Sequence, residues 1–82
     1  MRYVICVNRP GYLPEMEPYT VDGIDEAAEA VQVEVDRTAE AHDLPADPEV
    51  KAKIAGDLRK LGCYSAGVML GGYVHEAVPE GC

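Results

Sequence analysis

Few side chains in this sequence could carry out nucleophilic or acid–base chemistry. His42 falls on the apolar side of a predicted helix. His75 lies in a predicted strand, and no carboxylate and nucleophile stand at a spacing that would establish a triad with it. Cys63 could pair with a distant histidine, because such residues meet only in the fold. A small Cys/His enzyme is therefore the least supported hypothesis, and we predict no enzymatic activity and no catalytic residue.

Recognisable metal and cofactor motifs are also missing. The three cysteines, Cys6, Cys63 and Cys82, include no C-x-x-C pair, which is the usual element of a zinc site. The carboxylates that follow His42 do not have the spacing of a calcium loop. The stretch "GVMLGGY" lacks the lysine of a phosphate-binding loop. We predict neither a metal nor a cofactor.

The charge balance limits the possible partners. The 15 acidic and 7 basic residues give a formal net charge of -8, a sign that repels phosphate backbones and anionic lipids. We therefore expect no direct nucleic-acid binding and no membrane binding. The sequence has no apolar run of membrane-spanning length and no signal peptide at its start, so we expect the chain in the cytoplasm.

Two strands should form the first part of the fold. "RYVICV" (residues 2–7) has the β-branched, apolar composition of a buried strand, and Asn8 with Pro10-Gly11 ends it. A long loop, residues 8–19, follows. "PYTV" (residues 18–21) can form a second strand, at a sheet edge because Pro18 lacks a donor N–H.

Two amphipathic helices should come next. The first begins at Asp22 or Asp25, whose short polar side chains suit an N-cap, and continues to about residue 43. Its apolar stripe consists of Ile24, Ala28, Val31, Val35 and His42. After a break at Pro45, a second helix capped by Asp47 ends at Gly62. The apolar repeat of this second helix is Val50, Ile54, Leu58 and Leu61.

The tail favours two strands joined by Gly71-Gly72, a pair that permits the positive φ values of a tight hairpin turn. A single strand over residues 73–78 is the alternative. The order is therefore β-β-α-α-β-β or β-β-α-α-β. It predicts an α+β two-layer sandwich in which an αα-hairpin covers one face of an antiparallel sheet of three to four strands. Residues 1–82 are short enough to make one domain.

The carboxylates of the first helix are the most organised feature of the sequence. On a helical wheel, seven of them share an arc of roughly 100°, turned away from the apolar stripe. These residues, which we call the acidic face, are Asp22, Asp25, Glu26, Glu29, Asp36, Glu40 and Asp43. A solvated helix face is one interpretation. The other is a docking surface for a basic partner, such as a nucleic-acid-binding protein, with Val33 as an apolar anchor within the arc.

The loop at residues 8–19 is a second candidate surface. Tyr12 and Leu13 stand near its tip, between Pro10 and Pro14. They could fold back to cover a thin core. Alternatively, the prolines stiffen a protruding recognition loop, whose tyrosine is a favoured anchor type.

One resemblance adds to this reading. "YVICVNRPGYLPEMEPYTVDGIDEAAEAV" and the ending "GGYVHEAVP" resemble small acidic proteins of unknown function encoded by actinobacterial tailed phages, over residues 3 to about 40 and the C-terminal segment. The resemblance implies an accessory protein made inside an infected bacterium and acting on host or competing-phage machinery. It implies no catalytic residues.

The leading functional hypothesis is therefore a non-enzymatic protein that binds another protein. Its partner-binding residues would be Tyr12, Leu13, Asp25, Glu29, Val33, Asp36 and Glu40. The alternative is a self-assembling structural module that forms a homodimer through a strand edge or a tyrosine surface.

Overall fold

The computed structural model describes residues 1–14 and 16–81, except for the side chain of Leu61. Its strands are β1 (Arg2–Asn8), β2 (Tyr19–Asp22), β3 (Ala66–Leu70) and β4 (Tyr73–Pro79), and its helices are α1 (Gly23–Ala41) and α2 (Val50–Leu61). The order β-β-α-α-β-β confirms the predicted α+β class in its four-stranded form. Leu61, the last residue of the predicted apolar repeat, has its side chain outside the described part of the structure.

All neighbouring strands pair antiparallel, in the order β2-β1-β4-β3. β1 and β4 form the centre of the sheet, and β2 lies at an edge, as the position of Pro18 predicts. Gly71 and Gly72 connect β3 to β4 with φ values of 59° and 83°. The hairpin prediction is confirmed, and the single-strand alternative for the tail is wrong.

The helices cover one face of the sheet. Alternate residues of β1 (Tyr3, Ile5 and Val7) and of β4 (His75 and Ala77) are buried on that face. Tyr3, Ile5 and Ala77 pack with buried residues of α1 and α2 in one apolar cluster. The core residues contributed by the helices are Ala27, Ala28, Val31, Val35, Ala39, Val50, Ile54 and Leu58.

The first helix is shorter than predicted. It ends at Ala41 because Asp43 adopts a left-handed backbone, with φ of 52°. Two backbone bonds close this end: the Leu44 N–H to the Ala39 carbonyl at 2.8 Å, and the Asp43 N–H to the Glu40 carbonyl at 3.4 Å. These are the two bonds of a Schellman C-cap, in which glycine is the commonest residue at the left-handed position.

The start of α1 also departs from the prediction. Asp22 belongs to β2 and takes the N-cap position in an extended conformation, but its side chain makes no capping hydrogen bond. The Glu26 carboxylate instead accepts the Asp22 backbone N–H at 2.9 Å. Asp22 and Asp43 therefore flank the helix, and the acidic face on α1 itself consists of the other five carboxylates.

Gln32 connects the two helices. Its amide nitrogen donates to the Asp47 carbonyl at 2.9 Å, and its amide oxygen accepts the Lys51 backbone N–H at 2.9 Å. The Asp47 carboxylate accepts the Glu49 N–H at 3.0 Å within the turn before α2. The predicted cap at Asp47 is wrong, because α2 begins at Val50 and Glu49 takes its N-cap position without a side-chain capping bond. No helix in the described part of the chain is long and apolar enough to cross a membrane.

Candidate partner-binding surface

The opening loop and the C-terminal end of α1 meet at one end of the molecule. The Arg9 guanidinium carbon lies 4.2 Å from the centre of the Tyr12 ring and 5.8 Å from that of Tyr73. The Tyr73 ring is in turn 5.1 Å from the His42 ring, centre to centre. This series of contacts places the loop tip and the end of α1 on the same end of the fold.

The loop is partly exposed and partly packed. Tyr12 is 66% exposed and Leu13 is 87% exposed, while Met16 packs against the core cluster. The Tyr12 N–H donates to the Arg9 carbonyl at 3.0 Å and closes the turn at the tip. The loop thus presents Tyr12 and Leu13 to solvent and is held to the core through Met16.

The acidic face divides into two groups. Asp25 lies 3.4 Å from Arg59, and Glu29 lies 2.8 Å from Lys51, so both pair with basic side chains of α2. Asp36 accepts only an amide hydrogen bond from Gln32, at 2.9 Å. Among the described ion pairs, none includes Asp36 or Glu40.

The carboxylates without an ion pair concentrate at the end of α1 and in the connection to α2. The negative end of the α1 dipole lies here, and the last turn of α1 has no basic residue to offset it. Val33, one turn before Asp36 on the same outer side, is 37% exposed. In the part of the chain that the structure describes, the unpaired carboxylates of this region are Asp36, Glu40, Asp43, Asp47 and Glu49.

A small cavity separates the loop from α1. It encloses about 210 Å³, and its wall contains Val7, Met16, Glu34, Arg37, Thr38, Ala41, His42 and Tyr73. Glu34 is the one buried carboxylate among the described residues, with its side chain 8% exposed.

Two side chains contact the Glu34 carboxylate. The Tyr19 hydroxyl donates to its Oε2 atom at 2.8 Å, and the Arg37 guanidinium lies 3.5 Å from its Oε1 atom. Burial, together with the adjacent Glu34 carboxylate, raises the pKa of the Tyr19 phenol to about 12. Glu34 therefore has a structural role here, because it fixes the edge strand β2 to α1.

His75 is buried behind the cavity, at 1% exposure. Thr38 Oγ1 lies 2.7 Å from its Nε2 atom and 3.2 Å from the Glu34 carbonyl oxygen. The Thr38 hydroxyl can donate to the Glu34 carbonyl, and the donor and acceptor roles in its contact with Nε2 depend on the tautomer of the His75 ring. Its Nδ1 atom is buried without a hydrogen-bond partner. Burial lowers the pKa of His75, although the nearby carbonyls of Val68 and Tyr73 and the charge of Glu34 act in the opposite direction.

Cys6 and Cys63, the two cysteines that the structure describes, differ in their surroundings. Cys63 is exposed after α2 and is not a free thiol. Cys6 is a free cysteine, and its pKa is raised by burial and by Glu76, which disfavours the reactive thiolate. Within the described residues, no cluster of His, Cys, Asp and Glu has the geometry of a metal site.

The sequence reasoning missed three residues of this region. Glu34 lies at the border of the apolar stripe on the helical wheel, a position from which its burial could have been inferred. Arg9 precedes the proline that begins the loop, and Tyr73 begins β4, but nothing local indicates that they meet. Only the pairing of β1 with β4, which brings Asn8 beside Val74, places them together.

Comparison with protein-family models, curated proteins and solved structures gives no match. The fold and the surface define an acidic two-layer α+β domain with an exposed aromatic loop tip.

Proposed function

We propose that this chain is a non-enzymatic accessory protein that binds a basic protein partner through one end of its fold. We call this region the end surface and define it as Tyr12, Leu13, Val33, Asp36 and Glu40. The observation that carries the proposal is the series of contacts Tyr12–Arg9–Tyr73–His42. It places an exposed apolar loop tip at the same end of the molecule as carboxylates that have no intramolecular cation.

The two parts of the end surface have complementary tasks in binding. Exposed apolar and aromatic side chains such as Tyr12 and Leu13 supply the contact area that dominates binding free energy. Unpaired carboxylates such as Asp36 and Glu40 attract a basic partner and orient it, and this attraction weakens as salt is added. Asp25 and Glu29 contribute less, because each already contacts a basic side chain of α2.

The class of partner follows from the charge and from the resemblance to phage accessory proteins. A basic protein, such as a nucleic-acid-binding protein of the host or of a competing phage, fits a chain of net charge -8. The proposed location is the cytoplasm of the infected bacterium, where such a partner would be found.

The test is an affinity capture from actinobacterial host lysate with four folded baits. These are the wild type, Tyr12→Ala/Leu13→Ala, Asp36→Asn/Glu40→Gln, and the matched control Asp25→Asn/Glu29→Gln. The last two variants remove the same number of charges, from unpaired and from paired positions respectively. We expect the wild type to capture one host protein that is lost with Tyr12→Ala/Leu13→Ala and with Asp36→Asn/Glu40→Gln. The control should retain this protein, and its binding should weaken at high salt.

Two results would contradict the proposal. Capture of the same proteins by all four baits would show that the end surface makes no specific contact. Equal loss with both charge variants would show that net charge alone determines capture.

A further inference from the structure

The outer edge of β3 is the uncharged part of an otherwise highly charged chain. Residues 61–75 contain no Asp, Glu, Lys or Arg, although such residues make up 27% of the sequence. β3 lies within this run and is an edge strand of the sheet. One of its sides pairs with β4, and the other pairs with no strand among the described residues.

Edge strands in monomeric proteins are normally protected by short length, proline, charged side chains or a covering element. The other edge strand of this sheet follows that rule, because β2 has only four residues, follows Pro18 and ends at Asp22. β3 has five residues and contains no proline and no charged side chain. Met69, on the exposed face of this strand, is 67% exposed.

The register of the hairpin shows which backbone groups are open. Leu70 and Tyr73 are paired across the two-residue turn, so their backbone groups bond to each other. Because hydrogen-bonded and non-bonded pairs alternate along an antiparallel ladder, Val68 also directs its N–H and C=O toward β4. Gly67 and Met69 direct theirs away from the sheet.

We propose that two copies of this chain pair antiparallel through their β3 strands to form one continuous eight-stranded sheet. A two-fold axis at Val68 brings Gly67 of each copy opposite Met69 of the other. In this register, the outward-directed backbone groups of Gly67 and Met69 are all paired. If one strand slides along the other in either direction, one of these two residues in each copy loses its partner. The occupant of the edge is thus a second copy of the same chain.

The charge distribution supports this occupant. Two chains that each carry a net charge of -8 repel one another, and the repulsion is smallest where the contact itself carries no charge. The strand residues that meet in the proposed pair are neutral. Added salt should therefore strengthen the dimer, because it screens the remaining repulsion. The effect of salt is opposite in sign to that expected for the basic partner.

Sedimentation equilibrium, with and without reductant, tests the oligomeric state. We expect a species of twice the 8.9 kDa chain mass, whose fraction rises between micromolar and millimolar concentration and with added salt. A chain that stays monomeric at every concentration and salt level would overturn the proposal. So would a dimer found only without reductant, since that dimer is disulfide-linked.

Two substitutions at one position distinguish backbone pairing from contact through side chains. Met69→Pro removes an outward N–H that makes no bond within the monomer, and proline is tolerated on such an edge. We expect it to abolish the dimer and to leave the circular dichroism spectrum and the capture of the basic partner unchanged. Met69→Ala keeps the N–H and should still form the dimer. Loss of the dimer with Met69→Ala would instead assign the contact to the open face of the sheet.

Hydrogen exchange gives a readout that does not depend on any variant folding. The amides of Gly67 and Met69 should exchange rapidly in dilute protein and become protected at concentrations where the dimer forms. Rapid exchange of both amides in a sample that is dimeric by sedimentation would overturn pairing through β3. The test of the partner-binding proposal is separate. Asp36→Asn/Glu40→Gln should dimerise at least as well as the wild type, so loss of the captured protein with this variant cannot be caused by loss of the dimer.

Discussion

The Tyr19 hydroxyl donates a 2.8 Å hydrogen bond to the buried carboxylate of Glu34 and so ties the edge strand β2 to the centre of α1. The bond joins residues 15 positions apart in the sequence. β2 contributes only four residues to the sheet, and this contact holds it against the helix together with Val21, which packs on the core cluster. The contact also provides a hydrogen-bond donor to a carboxylate whose other hydrogen-bond or ion-pair partner among the described residues is the largely exposed side chain of Arg37.

Removing the Tyr19 hydroxyl should destabilise the fold. Tyr19→Phe leaves a buried carboxylate oxygen without its donor, which typically reduces the free energy of unfolding by about 1–3 kcal/mol. Urea denaturation followed by circular dichroism measures the change. Tyr12→Phe removes the same atom from an exposed ring and should alter stability by less than about 0.5 kcal/mol. Equal effects of the two variants would show that the contact with Glu34 does not stabilise the fold.

The same contact should delay the titration of the Tyr19 phenol as the pH rises. The folded pKa of its phenol is about 12, which lies above the unfolded value of about 10. The stability that comes from the protonated phenol is therefore present below pH 10 and is lost as the pH rises towards 12. Ultraviolet difference spectroscopy of the wild type should show a late-titrating phenolate that is absent from Tyr19→Phe. A late-titrating phase that persists in Tyr19→Phe would contradict this assignment.

Some elements of the fold could be predicted from the sequence because local residues determine them. Gly71 and Gly72 permit the two positive φ values of a tight turn, and the β3–β4 hairpin follows from that pair. The end of α1 could not be placed in the same way. Its left-handed residue is Asp43, and aspartate is a much weaker signal for a C-cap than glycine.

The candidate surface was only partly predictable. The positions of Asp36 and Glu40 on the outside of α1 follow from the helical period alone. The pairing of Asp25 with Arg59 depends on how α2 packs beside α1, at a separation of 34 residues. A helical wheel contains one helix and cannot show that a carboxylate is neutralised by its neighbour.

Acid should destabilise the protein through His75. Its folded pKa is lowered by burial from an unfolded value of about 6.5, so the unfolded chain binds the proton first as the pH falls. Stability from the neutral ring is complete above pH 6.5 and decreases below it, with a slope that approaches about 1.4 kcal/mol per pH unit. Glu34 on α1 and the carbonyls of Val68 and Tyr73 oppose this shift, and the net direction is still downward.

His75→Leu should remove this part of the acid sensitivity. Urea denaturation at several pH values gives the slope for wild type and variant, and the difference between them isolates His75 from the carboxylates. Thr38 keeps a partner in the variant, because its hydroxyl donates to the Glu34 carbonyl. His42→Gln reports the contribution of the other, exposed histidine. Identical slopes for wild type and His75→Leu would show that the buried ring does not determine acid stability.

Gln32 should contribute to stability through its contacts with the start of α2. Gln32→Ala removes its bonds to the Asp47 carbonyl and the Lys51 backbone N–H. At about 0.5–1.5 kcal/mol for each hydrogen bond, we expect a loss of about 1–2 kcal/mol in thermal or urea denaturation. Gln32→Glu retains an acceptor for Lys51 but no donor for Asp47, and its effect should be intermediate. A Gln32→Ala variant as stable as the wild type would mean that water replaces both bonds without loss.

Substitution of two glycines by alanine should change stability in opposite directions. A Cβ atom at Gly56, in the middle of α2, has no heavy atom within 4 Å, so Gly56→Ala gains helix propensity without a clash and should stabilise the protein by about 0.5–1 kcal/mol. A Cβ atom at Gly67 would lie 2.9 Å from the His75 carbonyl oxygen and 3.0 Å from the Glu76 Cβ atom. Because both neighbours belong to the central strand β4 and cannot move freely, Gly67→Ala should destabilise it by about 1–3 kcal/mol.

Denaturation midpoints of these two glycine variants, measured in dilute monomeric protein, check both signs at once. Dilution keeps any association through β3 from contributing to the result for Gly67→Ala. If Gly67→Ala were as stable as Gly56→Ala, β3 could shift away from β4 without loss. The close approach of the two strands at Gly67 would then not be a requirement of the fold.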